Sequence, residues 1–145
     1  MNILYIGMKI LIAGLGLIGG SFALALRDRG IADEILGVEK SDENAAEALR
    51  LGLADRIVTL EEGVPQAEEA MRRGLADRIV GFEEGIAEAD LVVLATPVDT
   101  IPIMAVKALN RAGGRQVVMD MGSIKAELCE VISMHAPLLC AQSRS

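Results

Sequence analysis

The sequence predicts an α/β domain, a doubly wound parallel sheet with helices on both faces in three α/β/α layers. Two observations carry that expectation. Apolar residues make up 52% of the 145-residue chain but aromatic ones only 2%. The core is therefore aliphatic, a composition that suits parallel strands buried under helices better than a β-sandwich. Short β-branched runs also alternate with amphipathic stretches along the chain, joined by connections short enough to require right-handed crossovers. A chain of this length is one domain with a real core.

The elements follow in order. "KILIA" (9–13) reads as a buried strand. A helix opens at Leu17, with Ile18, Phe22 and Leu26 four apart on one face and Arg27, Asp28 and Arg29 closing it before Gly30. "EILGVE" (34–39) is a second strand. "SDENAAEALRLG" is a helix with Ser41 or Asp42 as N-cap, acids in its first turn and Gly52 as its stop. "DLVVLATP" (90–97) is the strongest strand signal, ended by proline. A helix opening near Asp99 or Thr100 places Ile101, Ala105, Ala108 and Leu109 on a shared face and ends at Gly113 and Gly114. "QVVMD" (116–120) is a further strand. "SIKAELCEVISM" is a helix with Ser123 as N-cap and Ile124, Leu128, Val131 and Ile132 inward.

Repeats interrupt this order. "AAEALRLGLADRIVTLEEGV" (45–64) returns 22 residues later as "AEEAMRRGLADRIVGFEEGI" (67–86). "MNILYIG" before "MKILIAG" is a weaker echo, leaving residues 1–7 as an N-terminal extension. Two copies are too few for a solenoid, which needs about three repeats to stack a stable core. A local duplication within one unit of the domain is expected instead. One "ADRIV" supplies the third strand, and the other either adds a further strand at the sheet edge or leaves as a helical excursion. The added edge strand is favoured, with "EEGVPQAEEAMRRG" as its crossover helix.

Charge and cysteine usage narrow the function classes. The formal net charge is −7, and the basic residues are scattered or sit at helix ends. An acidic surface repels phosphate backbones and anionic lipid heads, so neither nucleic acid nor a membrane surface is an expected partner. Cys129 and Cys140 are the only cysteines. No metal spacing surrounds them and no disulfide framework is indicated, which points to a reducing cytoplasm. The uncharged run from Ile10 to Leu26 superficially resembles a signal peptide. It is shorter than the roughly 18–20 apolar residues of a span, and glycines occupy its centre.

Those glycines carry the chemistry. "GLGLIGG" sets Gly14, Gly16 and Gly19 in G-x-G-x-x-G register between a strand and a helix. That is the context in which the motif signifies a Rossmann-type dinucleotide site. Gly14 permits the tight turn, Gly16 lets the backbone approach a pyrophosphate, and Gly19 lets the helix pack on the strand. The helix N-terminus offers free N–H groups and a positive dipole end to the phosphates. Glu39 stands 20 residues past Gly19 at the end of the second strand. There a carboxylate accepts from the adenosine ribose and repels a 2′-phosphate, which favours NAD over NADP. Lys40 and Ser41 beside it keep NADP open. No P-loop follows the glycines, and the lone His135 lacks the companions of a Ser-His-Asp site.

"MKILIAGLGLIGGSFALALRDRG", "ILGVEKSDENAAEALRLGLAD", "EADLVVLATPVD" and "VVMDMGSIK" resemble successive blocks of the prephenate/arogenate dehydrogenase family. The resemblance runs from about Met8 to Ile132. It implies an NAD(P)-binding Rossmann domain and an oxidative decarboxylation on the route to tyrosine. Hydride would pass from a small-molecule substrate, prephenate or arogenate, to the nicotinamide while carbon dioxide leaves. For prephenate the product is 4-hydroxyphenylpyruvate. By the same resemblance Gly14, Gly16, Leu17, Ile18 and Gly19 hold the pyrophosphate and Glu39 the ribose. Thr96 and Pro97 line the nicotinamide side, and Ser123 of "GSIK" is the active-site serine near the substrate hydroxyl. Lys125 reads better as a solvated first-turn lysine.

The departures are equally specific. The family places a catalytic histidine in a His-Pro stretch on a later strand. Here His135 stands in "HAP" only 12 residues after Ser123 and reads as non-catalytic. Residues 133–145 resemble nothing in the family. The family's C-terminal helical domain, which builds the substrate pocket and the homodimer interface, is absent. The expectation is a truncated domain that binds cofactor with little or no turnover. A stand-alone nucleotide-binding or regulatory module, or another hydroxyacid-type dehydrogenase, are the rival readings.

Overall fold

The computed structural model of the chain describes residues 7–59, 80–123 and 125–135. Its elements are β1 (Met8–Ala13), α1 (Leu17–Asp28), β2 (Ala32–Val38), α2 (Asp42–Arg50), β3 (Arg56–Thr59), β4 (Val80–Gly81), α3 (Phe82–Glu88), β5 (Leu91–Leu94), α4 (Ile101–Arg111), β6 (Val117–Asp120) and α5 (Lys125–His135). The strands form one six-stranded sheet in the order β4-β3-β2-β1-β5-β6. Every pairing is parallel, so all six strands end on the same edge.

The period-2 alternation of β1 explains the three layers. Leu11 and Ala13 face one side with Leu36, Val58, Val92 and Leu94, packed under α3, α4 and α5 through Ile86, Met104, Ala108 and Leu128. Ile10 and Ile12 face the other side with Ile35 and Val93, packed under α1 and α2 through Ala23, Leu26 and Ala48. Two apolar faces on one strand require helices on both sides, as the continuous apolar runs predict.

The ends of α2 match their sequence signals. Ser41 Oγ accepts from the Asn44 N–H at 3.4 Å at the start of α2, and Gly52 ends that helix region with φ +70°. The buried lines differ from expectation in two helices. In α1 the buried residues are Gly19, Gly20, Ala23 and Leu26, whereas Ile18 is 57% exposed. The helix lies so close to the sheet that glycine and alanine, rather than large apolar residues, occupy its contact line. In α4, Met104 is buried beside Ile101, Ala105 and Ala108, while Leu109 lies at the margin.

The second repeat copy contributes a short strand, β4, ahead of α3. β4 pairs with β3 in parallel, matching Val58 with Val80 and Thr59 with Gly81. Those partners are equivalent positions of the two copies, so the duplicated sequence stacks on itself in register at the sheet edge. The proposed crossover helix between them, the N-terminal residues 1–6 and the tail from 136 onward lie outside the described residues.

An ion network ties the opposite, amino-terminal edge. Arg56 reaches Glu34 at 2.6 Å and Glu88 at 2.9 Å, and Lys9 reaches Glu34 at 3.2 Å. The Lys9 N–H donates to Asp90 at 2.9 Å. Four elements (β1, β2, β3 and α3) are joined there, away from the edge at which the strands end.

Candidate functional site

A doubly wound sheet opens a crevice where successive connections leave in opposite directions. Here β1 connects outward to β2 on one side, and β5 lies on its other side. The switch point falls between the ends of β1 and β5, and the glycine turn occupies it.

The turn is shaped by close backbone approach. Gly14 has φ +88°, a conformation that L side chains rarely adopt. A Cβ there would meet the Ala95 carbonyl oxygen at 2.7 Å, on the far wall of the crevice. A Cβ on Gly19 would lie 1.8 Å from the Gly14 carbonyl oxygen, so only glycine lets α1 start this near β1. Gly16 is different: a Cβ there would meet nothing within 4 Å. The fold does not need glycine at that position, and the space in front of it is open to a ligand.

Gly16 is also the N-cap of α1, with no side-chain cap and no acid in the first turn. The Gly20 N–H makes the first intrahelical bond, to the Gly16 carbonyl at 2.8 Å. The four N–H groups from Gly16 to Gly19 precede it and are the helix's outward donors, backed by the positive end of its dipole. Leu17, 88% exposed, and Ile18 form an apolar lip beside them.

Glu39 follows β2 on the same edge and meets the turn directly. Its Oε1 accepts the Leu15 N–H at 2.8 Å, and the Gly14 N–H donates to the Val38 carbonyl at 2.9 Å. Across the crevice, Thr96 follows β5. The Thr100 hydroxyl lies 2.8 Å from Thr96 Oγ1 and 2.7 Å from the Pro97 carbonyl, so a second threonine orders the first. Thr96 Oγ1 sits 3.5 Å from Met104 Sδ, and Pro97 is exposed.

Ser123 follows β6, the strand beyond β5, and is exposed. The Asp120 carboxylate accepts the Gly122 N–H at 3.0 Å, a local turn that presents the serine ahead of α5. Two strand spacings place the end of β6 roughly 10 Å from that of β1. His135 lies at the far end of α5, its Nδ1 2.9 Å from the Val131 carbonyl. It stands ten positions along the helix from Lys125, a rise of about 15 Å.

The structure thus gathers every candidate from the sequence on one edge. It joins the glycine turn to Glu39 by a hydrogen bond and to β5 by backbone approach, and leaves Ser123 on the outer strand. Sequence reasoning did not single out Thr100, Asp120 or the Leu15 amide as parts of the site. For Asp120 the signal was its place in the D-x-G-S run. For Thr100 it was the threonine four residues after Thr96.

Among the described residues no group of three or more His, Cys, Asp or Glu side chains is placed to hold a metal ion. No helix among them is long and apolar enough to cross a membrane.

Comparison with known proteins points one way. Residues 56–141 match the family model described as prephenate dehydrogenase, nucleotide-binding domain. A prephenate dehydrogenase of Bacillus subtilis (strain 168) is 56% identical over 43 residues, which are 30% of this chain and 12% of that protein. The crystal structure of prephenate dehydrogenase from A. aeolicus, in complex with hydroxyphenyl propionate and NAD+, is similar with a TM-score of 0.63 and 27% identity. That match covers 88% of this chain and 37% of the other. Arogenate dehydrogenase from Synechocystis has a TM-score of 0.55 at 26% identity, covering 89% of this chain and 38% of its own. The chain therefore spans well under half the length of these relatives.

Proposed function

This chain belongs to the prephenate dehydrogenase family, through its nucleotide-binding domain, and on that premise we propose that its crevice binds NAD in preference to NADP. The observation that carries the reading is Gly16: a glycine the fold does not require, at the N-cap of α1, with empty space before it. Pyrophosphate contact explains that glycine, because a side chain would hold the phosphates away from the N–H groups behind it. Gly14 and Gly19 shape the turn, and Leu17 and Ile18 present their amides with it. Glu39 accepts from the adenosine ribose, and its negative charge disfavours a 2′-phosphate.

Thr96 and Pro97 line the nicotinamide side, with Thr100 holding the Thr96 hydroxyl in place. Ser123 takes the substrate hydroxyl as a hydrogen-bond partner, presented by the Asp120 turn. The bound nicotinamide supplies the hydride acceptor for an oxidative decarboxylation. For prephenate, the ring gives up a hydride and the carboxylate leaves as carbon dioxide, forming 4-hydroxyphenylpyruvate. The structure of a relative with NAD+ and hydroxyphenyl propionate supports an aromatic acid as the substrate class.

Calorimetric titration with NAD and with NADP tests the nucleotide assignment. Saturable binding of one NAD per chain, tighter than NADP, is expected. Tighter NADP binding overturns the role given to Glu39, and binding of neither overturns the assignment itself.

A further inference from the structure

Glu39 stands where a ribose acceptor belongs, yet one of its oxygens is already engaged. Its Oε1 takes the N–H of Leu15 at 2.8 Å, inside the glycine turn. The preceding N–H, of Gly14, goes to the Val38 carbonyl at 2.9 Å. The end of β2 therefore grips the turn at two successive amides, once by main chain and once by side chain. The Leu15 side chain is buried against the same strand, so closely that a Cβ on Gly37 would lie 2.4 Å from its Cδ1.

This arrangement divides the donors of the turn into two sets. The N–H groups of Gly14 and Leu15 point back to β2, and those from Gly16 to Gly19 are left to face an anion. If the Leu15 amide were free, the turn could rotate it outward and lose the spacing between its remaining donors. A carboxylate only accepts, with about four lone-pair sites on two oxygens, so Oε2 stays available to a ribose hydroxyl.

We propose that Glu39, beyond the ribose contact already assigned to it, is a positioning residue: Oε1 locks the glycine turn in its anion-binding shape, while Oε2 and the side chain's charge are left for the ribose. The inference rests on the nucleotide reading of the crevice. The two jobs ask different things of the side chain. Locking needs an acceptor of this length, charged or neutral. Discrimination needs the charge. Glutamine keeps an oxygen that accepts from Leu15 and removes the charge, whereas alanine removes both.

The test measures melting temperature without nucleotide, and affinity for NAD and NADP, in the wild type, Glu39→Gln and Glu39→Ala. Glu39→Gln is expected to melt within about one degree of wild type, because its hydrogen bond survives. Its preference for NAD over NADP falls roughly tenfold or more, the scale of one charge-assisted contact. Glu39→Ala is expected to melt several degrees lower even without nucleotide, to lose roughly tenfold in affinity for NAD, and to bind NADP roughly tenfold more weakly than Glu39→Gln, which lacks the same charge but keeps the acceptor. A Glu39→Ala variant that melts like wild type and binds NADP no more weakly than Glu39→Gln overturns the lock. A Glu39→Gln variant that keeps its preference for NAD overturns the division of roles. If the wild type binds neither nucleotide while Glu39→Ala still melts early, the lock stands and the nucleotide assignment falls.

Discussion

Gly16 and Gly19, three residues apart in one motif, sit in opposite surroundings, and substitution separates them. A Cβ at Gly19 collides with the Gly14 carbonyl at 1.8 Å, a backbone atom that cannot swing away. Gly19→Ala should lose roughly 2–4 kcal/mol of stability, the scale of overpacking against a fixed neighbour. A Cβ at Gly16 enters open space at φ −69°, so Gly16→Ala should change stability by no more than about 0.5 kcal/mol yet weaken NAD binding. Chemical denaturation paired with titration reads both effects, and equal loss of stability in the two variants would contradict the distinction. At the opposite edge, burial raises the Glu34 pKa, but hydrogen bonds from Arg56 and Lys9 outweigh it and hold the carboxyl below its ordinary 4.5. A depressed folded-state pKa stabilises the fold above the unfolded value and loses that contribution as pH falls through the folded one. Wild type should therefore lose more melting temperature than Glu34→Gln as pH drops from 5 towards 3, and parallel curves would contradict this. At this scale the glycine pattern and Glu39 were legible, because spacing alone places them at one turn and one strand end. The Glu39–Leu15 bond was not, because it depends on a side-chain rotamer that spacing does not specify.

The elements show a duplication absorbed by the edge of a sheet. Val58 and Thr59 pair in register with Val80 and Gly81, their own counterparts in the second copy. The first copy already supplies the contacts that dock it on β2: Ala48, Leu53 and Ala54 in the core, Asp55 accepting the Ile35 N–H at 2.7 Å, and Arg56 bonded to Glu34. α3 packs across the same region, since a Cβ on Gly85 would meet Leu11 at 2.8 Å and Val58 at 3.2 Å. Excision of Leu60–Gly81 joins Thr59 to Phe82 and keeps all of these residues. The shortened chain should fold to a five-stranded sheet with unchanged nucleotide affinity, measured by circular dichroism and titration. An unfolded product would show that the second copy is integral to the domain. Strand positions were legible from the β-branched runs, and helix ends from Ser41 and Gly52. The inward line of α1 was not, because apolar periodicity selects large residues, whereas close helix–sheet contact selects Gly19, Gly20 and Ala23.

At the largest scale the described residues form a nucleotide-binding domain whose crevice lies at the switch point of a parallel sheet, in a chain spanning about 37% of the length of a solved relative. Composition and strand–helix alternation made this architecture legible before any contact was known, because an aliphatic core and short connections leave few alternatives. On the proposed reading the chemistry beyond the nucleotide falls to Ser123, and the histidine in the described residues sits a helix length away from it. Assayed as these 145 residues with prephenate and NAD, the protein should bind nucleotide and show little or no turnover. Turnover near that of a full-length family member would contradict that expectation. Amide NMR shifts during NAD titration show whether the glycine turn between β1 and α1 cradles a dinucleotide. Saturable shifts concentrated at Gly16, Leu17, Ile18 and Gly19, with Glu39 and Thr96 beside them, are expected. Saturable binding that leaves those amides unmoved, or shifts confined to the Lys9–Arg56 edge, would contradict it.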